Sequence, residues 1–226
     1  MKLSELSNSS LRIVTSVAII AVICIAALLG KYGVPFLGIR PFYAVRWLGV
    51  IVFAACIYEM VKCIMTAPDA RIKKYPLPVI LFTLWLVLVL LSVYTVGKYV
   101  WIMLDVLMII VGADVGGWLF GMLFGGDKLW ERISEHKTWA GQIGGIICGT
   151  MMSVLYSKIF GTNLAGAIWF GIGVSLLSQY GDLTASAIKR RLGIKDFGQL
   201  LPGHGGVLDR VDGWLYVLPL LWLLLK

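Results

Sequence analysis

Long, predominantly apolar segments with few charges recur along this chain, and they constrain it more than any other feature. Segments of this kind run through residues 12–30, 44–64, 78–96, 99–124, 140–160, 164–180 and 207–225. A helix of about 20 apolar residues spans a hydrocarbon core of about 30 Å. Lipid offers no hydrogen bonds, so a helix, which satisfies its own backbone, is the element these segments must form. Composition closes off the soluble alternative: 14% of residues are charged, against about 25% in a soluble domain. The expectation is an all-α polytopic membrane protein with about seven transmembrane helices, six to eight fitting the same pattern. Residues 1–98 read as an N-terminal transmembrane region, and 99–226 as a second region that carries nearly all the polar chemistry.

The net charge of +8 does not point to nucleic acid, because lysine and arginine collect in the loops between spans, as the positive-inside rule leads one to expect. With seven spans, fourteen of the twenty basic residues fall on the side of the N-terminus. That bias predicts a cytoplasmic N-terminus and a cytoplasmic face for the polar stretch described below. Cys24, Cys56, Cys63 and Cys148 lie singly in apolar segments and read as small buried hydrophobes, neither metal ligands nor a disulfide framework. The first apolar run lacks a small-residue cleavage site, so it reads as a span and not a cleaved leader.

Two glycine series, Gly117, Gly121 and Gly125, then Gly141, Gly145 and Gly149, repeat every four residues. Each falls on one helix face, where backbones can approach closely. The spacing predicts a tight pair of helices, within one chain or across a homodimer. Acidic residues inside the spans are few. Asp114 stands between glycines in an apolar helix and is a site candidate on that ground. Asp105, nine residues earlier, is expected deeper and paired, and Glu59 is a further candidate near the end of its span. Ser134, Lys137 and Thr138 put hydroxyls and a cation just before the second glycine series.

The polar chemistry concentrates in residues 178–212, which hold four of the twelve acidic residues, five of the twenty basic ones and His204. Asp182, Ser186, Lys189 and Arg190 fall at i, i+4, i+7 and i+8 and share one helix face. Alone, that face also fits an amphipathic helix in the headgroup layer. Lys195 and Asp196 lead into a Pro-Gly-His-Gly-Gly turn, residues 202–206. Gly203, Gly205 and Gly206 around His204 suggest backbone N–H groups turned towards an anion. Asp209, Arg210 and Asp212 follow at the mouth of the last apolar segment. Carboxylates with few other ligands suit Mg²⁺, which prefers oxygen and shares itself with substrate phosphates. Asp182, Asp209 and Asp212, ringed by Lys189, Arg190, Lys195 and Arg210, are therefore the expected metal-and-phosphate constellation.

The run from Ser186 through Lys189-Arg190 and Lys195-Asp196 to Pro202-Gly203-His204-Gly205-Gly206 and Asp209-Arg210-Val211-Asp212 resembles the signature of phosphatidate cytidylyltransferases. The resemblance extends upstream through Asp182, Asp114 and the Ser134–Lys137–Thr138 cluster, about half of the chain. Ala140 and Ala185 stand where that family often has glutamate. The resemblance implies transfer of a cytidylyl group from CTP to phosphatidate, with Mg²⁺ and room for a second cation. It implies catalytic roles for Asp182, Lys189, Arg190, Lys195, Asp196, His204, Asp209, Arg210 and Asp212. Substrate contacts are implied for Asp114, Ser134, Lys137, Thr138, Ser186, Gly203, Gly205 and Gly206. A compact chain of this kind suits a bacterial inner membrane.

Two other readings share these residues. A CTP-dependent transferase or kinase acting on another lipid, such as a polyprenol, would use the same phosphate chemistry but release CDP if it is a kinase. An anion or phospholipid transporter would place its site near the bilayer midplane on paired repeats, and no paired repeat is evident here.

Overall fold

A computed structural model of the chain describes residues 41–66, 76–201 and 205–225. Its elements in order are α1 (Pro41–Thr66), α2 (Pro76–Val96), α3 (Val100–Phe124), a short hairpin of β1 (Lys128–Trp130) and β2 (Ser134–Thr138), α4 (Trp139–Phe160) and α5 (Leu164–Leu192). They are followed by α6 (Leu208–Val211), a 3₁₀ turn (Asp212–Trp214) and α7 (Val217–Leu224). The span expected at 12–30 lies outside the described residues. Helices α2, α3, α4 and α5, with α1 from Arg46 onwards, are five segments long and apolar enough to cross a membrane.

Two expectations need correction. The segment at 164–180 does not end there, because α5 continues to Leu192. The face bearing Asp182, Ser186, Lys189 and Arg190 is the continuation of a spanning helix, not a separate helix lying in the headgroups. The segment at 207–225 is not one helix but α6, the 3₁₀ turn and α7. The eight residues of α7 rise about 12 Å, too short for a core of about 30 Å. The physical cause of the break is local. The Asp212 carboxylate accepts from the Gly213 N–H at 2.9 Å, competing with helical hydrogen bonding as short polar side chains do. Of the six expected spans that fall among the described residues, five are present as helices long enough to cross.

The chain forms two compact units, one from Met1–Val100, Arg191–Val211 and Leu224–Lys226, the other from Trp101–Arg190 and Asp212–Leu223. In the first, α2 buries Val79, Phe82, Leu86, Val89, Val93 and Val96, a seam that alternates steps of three and four as packed helices require. On α1, Phe53, Cys56 and Met60 are buried as well. A Cβ on Gly49 would stand 2.5 Å from Val93 Cγ1, so any larger residue there would force the Val93 side chain to move.

In the second unit α4 lays a glycine stripe along the backbone of α3. A Cβ on Gly141 would come 2.6 Å from Gly117 O, one on Gly145 2.8 Å from Ala113 O, and one on Gly149 3.0 Å from Ile109 O. Each step of four on α4 meets a step of four on α3, the close approach that small residues allow in lipid. Gly125 takes no part: it lies past the end of α3 with φ 57°. The opposite face of α3, including Val111, Val115, Trp118 and Met122, is exposed and apolar, as suits contact with lipid. The antiparallel β1–β2 hairpin, with Lys128 opposite Thr138, ends at Thr138, whose hydroxyl caps α4 by accepting from the Gly141 N–H at 3.1 Å.

Candidate active site

The continuous helix α5 sets out one half of the chemistry. Its polar face holds the hairpin at two points. Asp182 Oδ2 pairs with Lys137 Nζ at 2.5 Å, and Arg190 Nε donates to the Ile133 carbonyl at 3.3 Å. Between them Ser186 Oγ donates to Asp182 Oδ1 at 3.4 Å. The spacing i, i+4, i+8 is what puts these three groups in line. Gly181 lets the chain at Asp212 lie against α5, since a Cβ there would collide with the Asp212 carbonyl. Burial, then the negative charge of Asp182, push the Asp212 carboxyl well above its ordinary 3.8; Asp114 adds to the rise, while Lys189 and the Gly213 N–H oppose it. Asp114, Asp182 and Asp212 therefore share one electrostatic field with Lys137 and Lys189.

The other half lies in the first unit and is built differently. Asp209 Oδ2 accepts from the Phe197 N–H at 2.9 Å and the Gly206 N–H at 3.1 Å. Glu59 of α1 accepts from the Val207 N–H at 3.0 Å and the Leu208 N–H at 2.9 Å. Cys63, one turn further along α1, donates to the Phe197 carbonyl at 2.7 Å. The Phe197 ring stacks on Phe82 of α2 with centroids 6.0 Å apart. The turn was expected to offer its N–H groups to a substrate anion. At Gly206, Val207 and Leu208 those groups already face anions, and the anions are the protein's own carboxylates.

Residues 15–226 match the cytidylyltransferase family. The chain belongs to that family. Similar proteins include the phosphatidate cytidylyltransferase of Staphylococcus aureus (strain COL), 47% identical over 118 residues that make up 50% of this chain and 44% of the relative. Those of Staphylococcus haemolyticus (strain JCSC1435) and Staphylococcus saprophyticus subsp. saprophyticus are 46% identical over 114 residues and 44% over 116, each with 50% of this chain and 44% of the relative covered. The chain thus spans less than half the length of these cytidylyltransferase relatives.

Within the cytidylyltransferase signature the remaining residues are distributed as follows. Lys195, Asp196 and Arg210 are exposed, and the Asp196 carboxyl carbon lies 3.5 Å from where a Cβ on Gly205 would stand. Gly205 has φ 85°, a left-handed conformation that glycine adopts without strain, and its carbonyl accepts from the Leu201 N–H at 3.0 Å. Gly203 and His204 lie outside the described residues. Ser134 starts β2, half-buried, and Thr138 is buried as the cap of α4. Asp105 accepts from Ser153 Oγ at 3.3 Å, a paired buried carboxyl away from the acidic field. Ala185 is fully buried. Among the described residues no three histidine, cysteine or acidic side chains are grouped to hold a metal ion.

Glu59 is the residue whose part sequence reasoning missed. The signal that marked it, a lone acidic residue in an apolar segment, is common to functional and structural carboxylates. Only its two backbone partners show what it does.

Proposed function

We propose that the protein transfers CMP from CTP to phosphatidate, giving CDP-diacylglycerol and pyrophosphate. The observation that carries this reading is the field of Asp114, Asp182 and Asp212 with Lys137 and Lys189, in a chain of the cytidylyltransferase family whose curated relatives are named for this reaction. The negative charge of Asp182 raises the proton affinity of the Asp212 carboxyl, and positive charge beside it is favoured for the same reason. Lysines beside them suit the anionic groups of two phosphate-bearing substrates.

In the reaction a phosphate oxygen of phosphatidate forms a bond to the α-phosphorus of CTP. The bond from that phosphorus to the bridging oxygen of the β-phosphate breaks, and pyrophosphate leaves with the electron pair. Such a step depends on positioning and charge neutralisation, with no covalent enzyme intermediate required. Lys137 and Lys189 would neutralise phosphate oxygens, and Ser186 would donate a hydrogen bond beside them. Lys195, Asp196, His204 and Arg210 are proposed to serve the reaction as the signature implies. Carboxylate oxygens suit Mg²⁺, so Asp182 and Asp212 are carboxylates that would hold it, with Lys137 giving up Asp182 when the ion binds and substrate phosphates sharing it. Mg²⁺ supplies neutralisation of the triphosphate when bound. Asp209 is proposed as the third ligand, through Oδ1, since its Oδ2 accepts from two backbone N–H groups.

The long apolar helices and bacterial relatives mark an integral membrane protein. We place it in the bacterial inner membrane with the signature facing the cytoplasm, the side on which CTP is made. The test is transfer of label from α-³²P-CTP into the lipid phase by purified protein with Mg²⁺ and phosphatidate. Labelled lipid supports the assignment. Label reaching lipid only from γ-³²P-CTP, across several lipid acceptors, would replace it with a lipid kinase.

A further inference from the structure

We propose that Glu59, on a helix outside the signature, is a positioning residue that sets the placement of Asp209 and Arg210. It does so by holding the two backbone N–H groups immediately ahead of them. The inference rests on the transfer reaction proposed above.

Glu59 is 1% exposed on an apolar helix. A carboxylate in such a place is costly unless its oxygens are satisfied. Both are: Oε1 accepts from Val207 and Oε2 from Leu208, a residue 149 positions away. The preceding N–H, of Gly206, is held by Asp209 itself. Three successive N–H groups are thus bound by two carboxylates, and the chain between them has no freedom to turn without breaking a charge-assisted bond.

Space at the turn is made for this carboxylate. A Cβ on Gly206 would lie 2.7 Å from Glu59 Oε2 and 2.9 Å from Asp209 Oδ2, and a Cβ on Gly198 would collide with Glu59 Oε1. Glycine at 198 and 206 is therefore what lets one side chain of α1 reach under the signature loop. Asp209 and Arg210 leave the loop one and two residues after the second bond. An error in the carboxylate's position passes directly to them. Outer partners that orient working groups typically contribute about tenfold to hundredfold in activity or metal affinity.

The experiment compares Glu59→Gln with Leu86→Ala in the full chain. Gln keeps the shape but can accept only through one oxygen, so one of the two N–H groups faces an amide. Leu86 is fully buried in the α2 seam, and its truncation weakens packing alone. The measurements are thermal unfolding, kcat and KM for CTP per folded molecule, the Mg²⁺ concentration giving half-maximal rate, and hydrogen exchange at Val207 and Leu208. The expected result for Glu59→Gln is a kcat about tenfold to hundredfold lower, a higher Mg²⁺ requirement and faster exchange at those two amides. Leu86→Ala should lose thermal stability with kcat and Mg²⁺ requirement unchanged. Glu59→Gln behaving like Leu86→Ala in all of these would overturn the inference and leave a structural carboxylate. If Glu59→Gln does not fold, Gly198→Ala, which presses on the same carboxylate, is read by the same criteria. If the wild type labels no lipid, the reaction fails. The exchange arm then decides the inference alone: selective acceleration at Val207 and Leu208 supports it, and rates equal to those of Leu86→Ala overturn it.

Discussion

Two sets of carboxylates in this protein use the same functional group in opposite ways. Glu59 and Asp209 face backbone N–H groups, four in all. Asp182 pairs with the side chains of Lys137 and Ser186, and its charge raises the proton affinity of Asp212, a rise that Lys189 and the neighbouring Gly213 N–H oppose. A carboxylate bonded to fixed backbone donors is satisfied where it stands and works as a clamp. Carboxylates whose positive partners are mobile side chains can exchange those partners for a cation arriving from solution. Charge in a sequence does not distinguish these states; the partners do.

The comparison is tested most severely at Asp212. Replacing it with Asn is expected to lower the transfer rate by about 10²–10³-fold, the usual effect of deleting one preorganised electrostatic contact. The empty protein should nonetheless become more heat-stable at neutral pH. The sign follows from the raised proton affinity of Asp212. Its carboxyl binds a proton more readily in the folded state, so that contribution is complete below the ordinary value of 3.8 and is lost as pH rises through the folded-state value. Asn carries no such loss, and the stability gap between variant and wild type should widen as pH rises. Added Mg²⁺ should narrow it by stabilising the wild type. A variant less stable than wild type at every pH would show that Asp212 is a clamp like Glu59.

Lys137→Met asks whether the lysine of the second set serves the substrate as well as Asp182. A rate lower by about tenfold to hundredfold is expected, within the range for a positioned charge. Trypsin should cut faster at Arg132 because the hairpin loses one of its two holds on α5. An unchanged rate with a loosened hairpin would reduce the ion pair to a strap. Gly145→Val acts on packing alone: its Cβ would meet Ala113 O at 2.8 Å and Gln179 Nε2 at 2.7 Å. Overpacking of this kind costs about 1–3 kcal/mol, measured as a lower unfolding temperature with no dependence on pH between about 5 and 8. The smallest effect is expected for Thr138→Ala, about 1 kcal/mol for the loss of an N-cap. A far larger loss of rate than of stability in that variant would give Thr138 the substrate contact that the family resemblance implies.

Much of the fold was legible because its rules are local. Apolar runs at 44–64, 78–96, 99–124 and 140–160 became α1 to α4 within three residues at each end, since helix length follows from bilayer thickness. The run at 164–180 was cut short because apolar character stops at Asp182 while helical spacing does not. The run at 207–225 looked continuous because hydropathy is blind to the bond from Gly213 to Asp212. At the site, Asp182, Ser186 and Arg190 were placed on one face by spacing alone. In the glycine turn the N–H groups do face anions: that of Gly206 faces Asp209 nearby, while those of Val207 and Leu208 face Glu59, on a helix far away in sequence.

What the sequence determined by itself was therefore the spanning helices, the shared face of α5 and the kind of chemistry that oxygen ligands and lysines permit. All of these depend on periodicity and composition, which survive without neighbours. Only the tertiary structure decided which carboxylates are held by distant backbone donors and which face lysine side chains. That distinction is a matter of partners within about 3 Å, and residues 149 positions apart become partners only when the chain has packed.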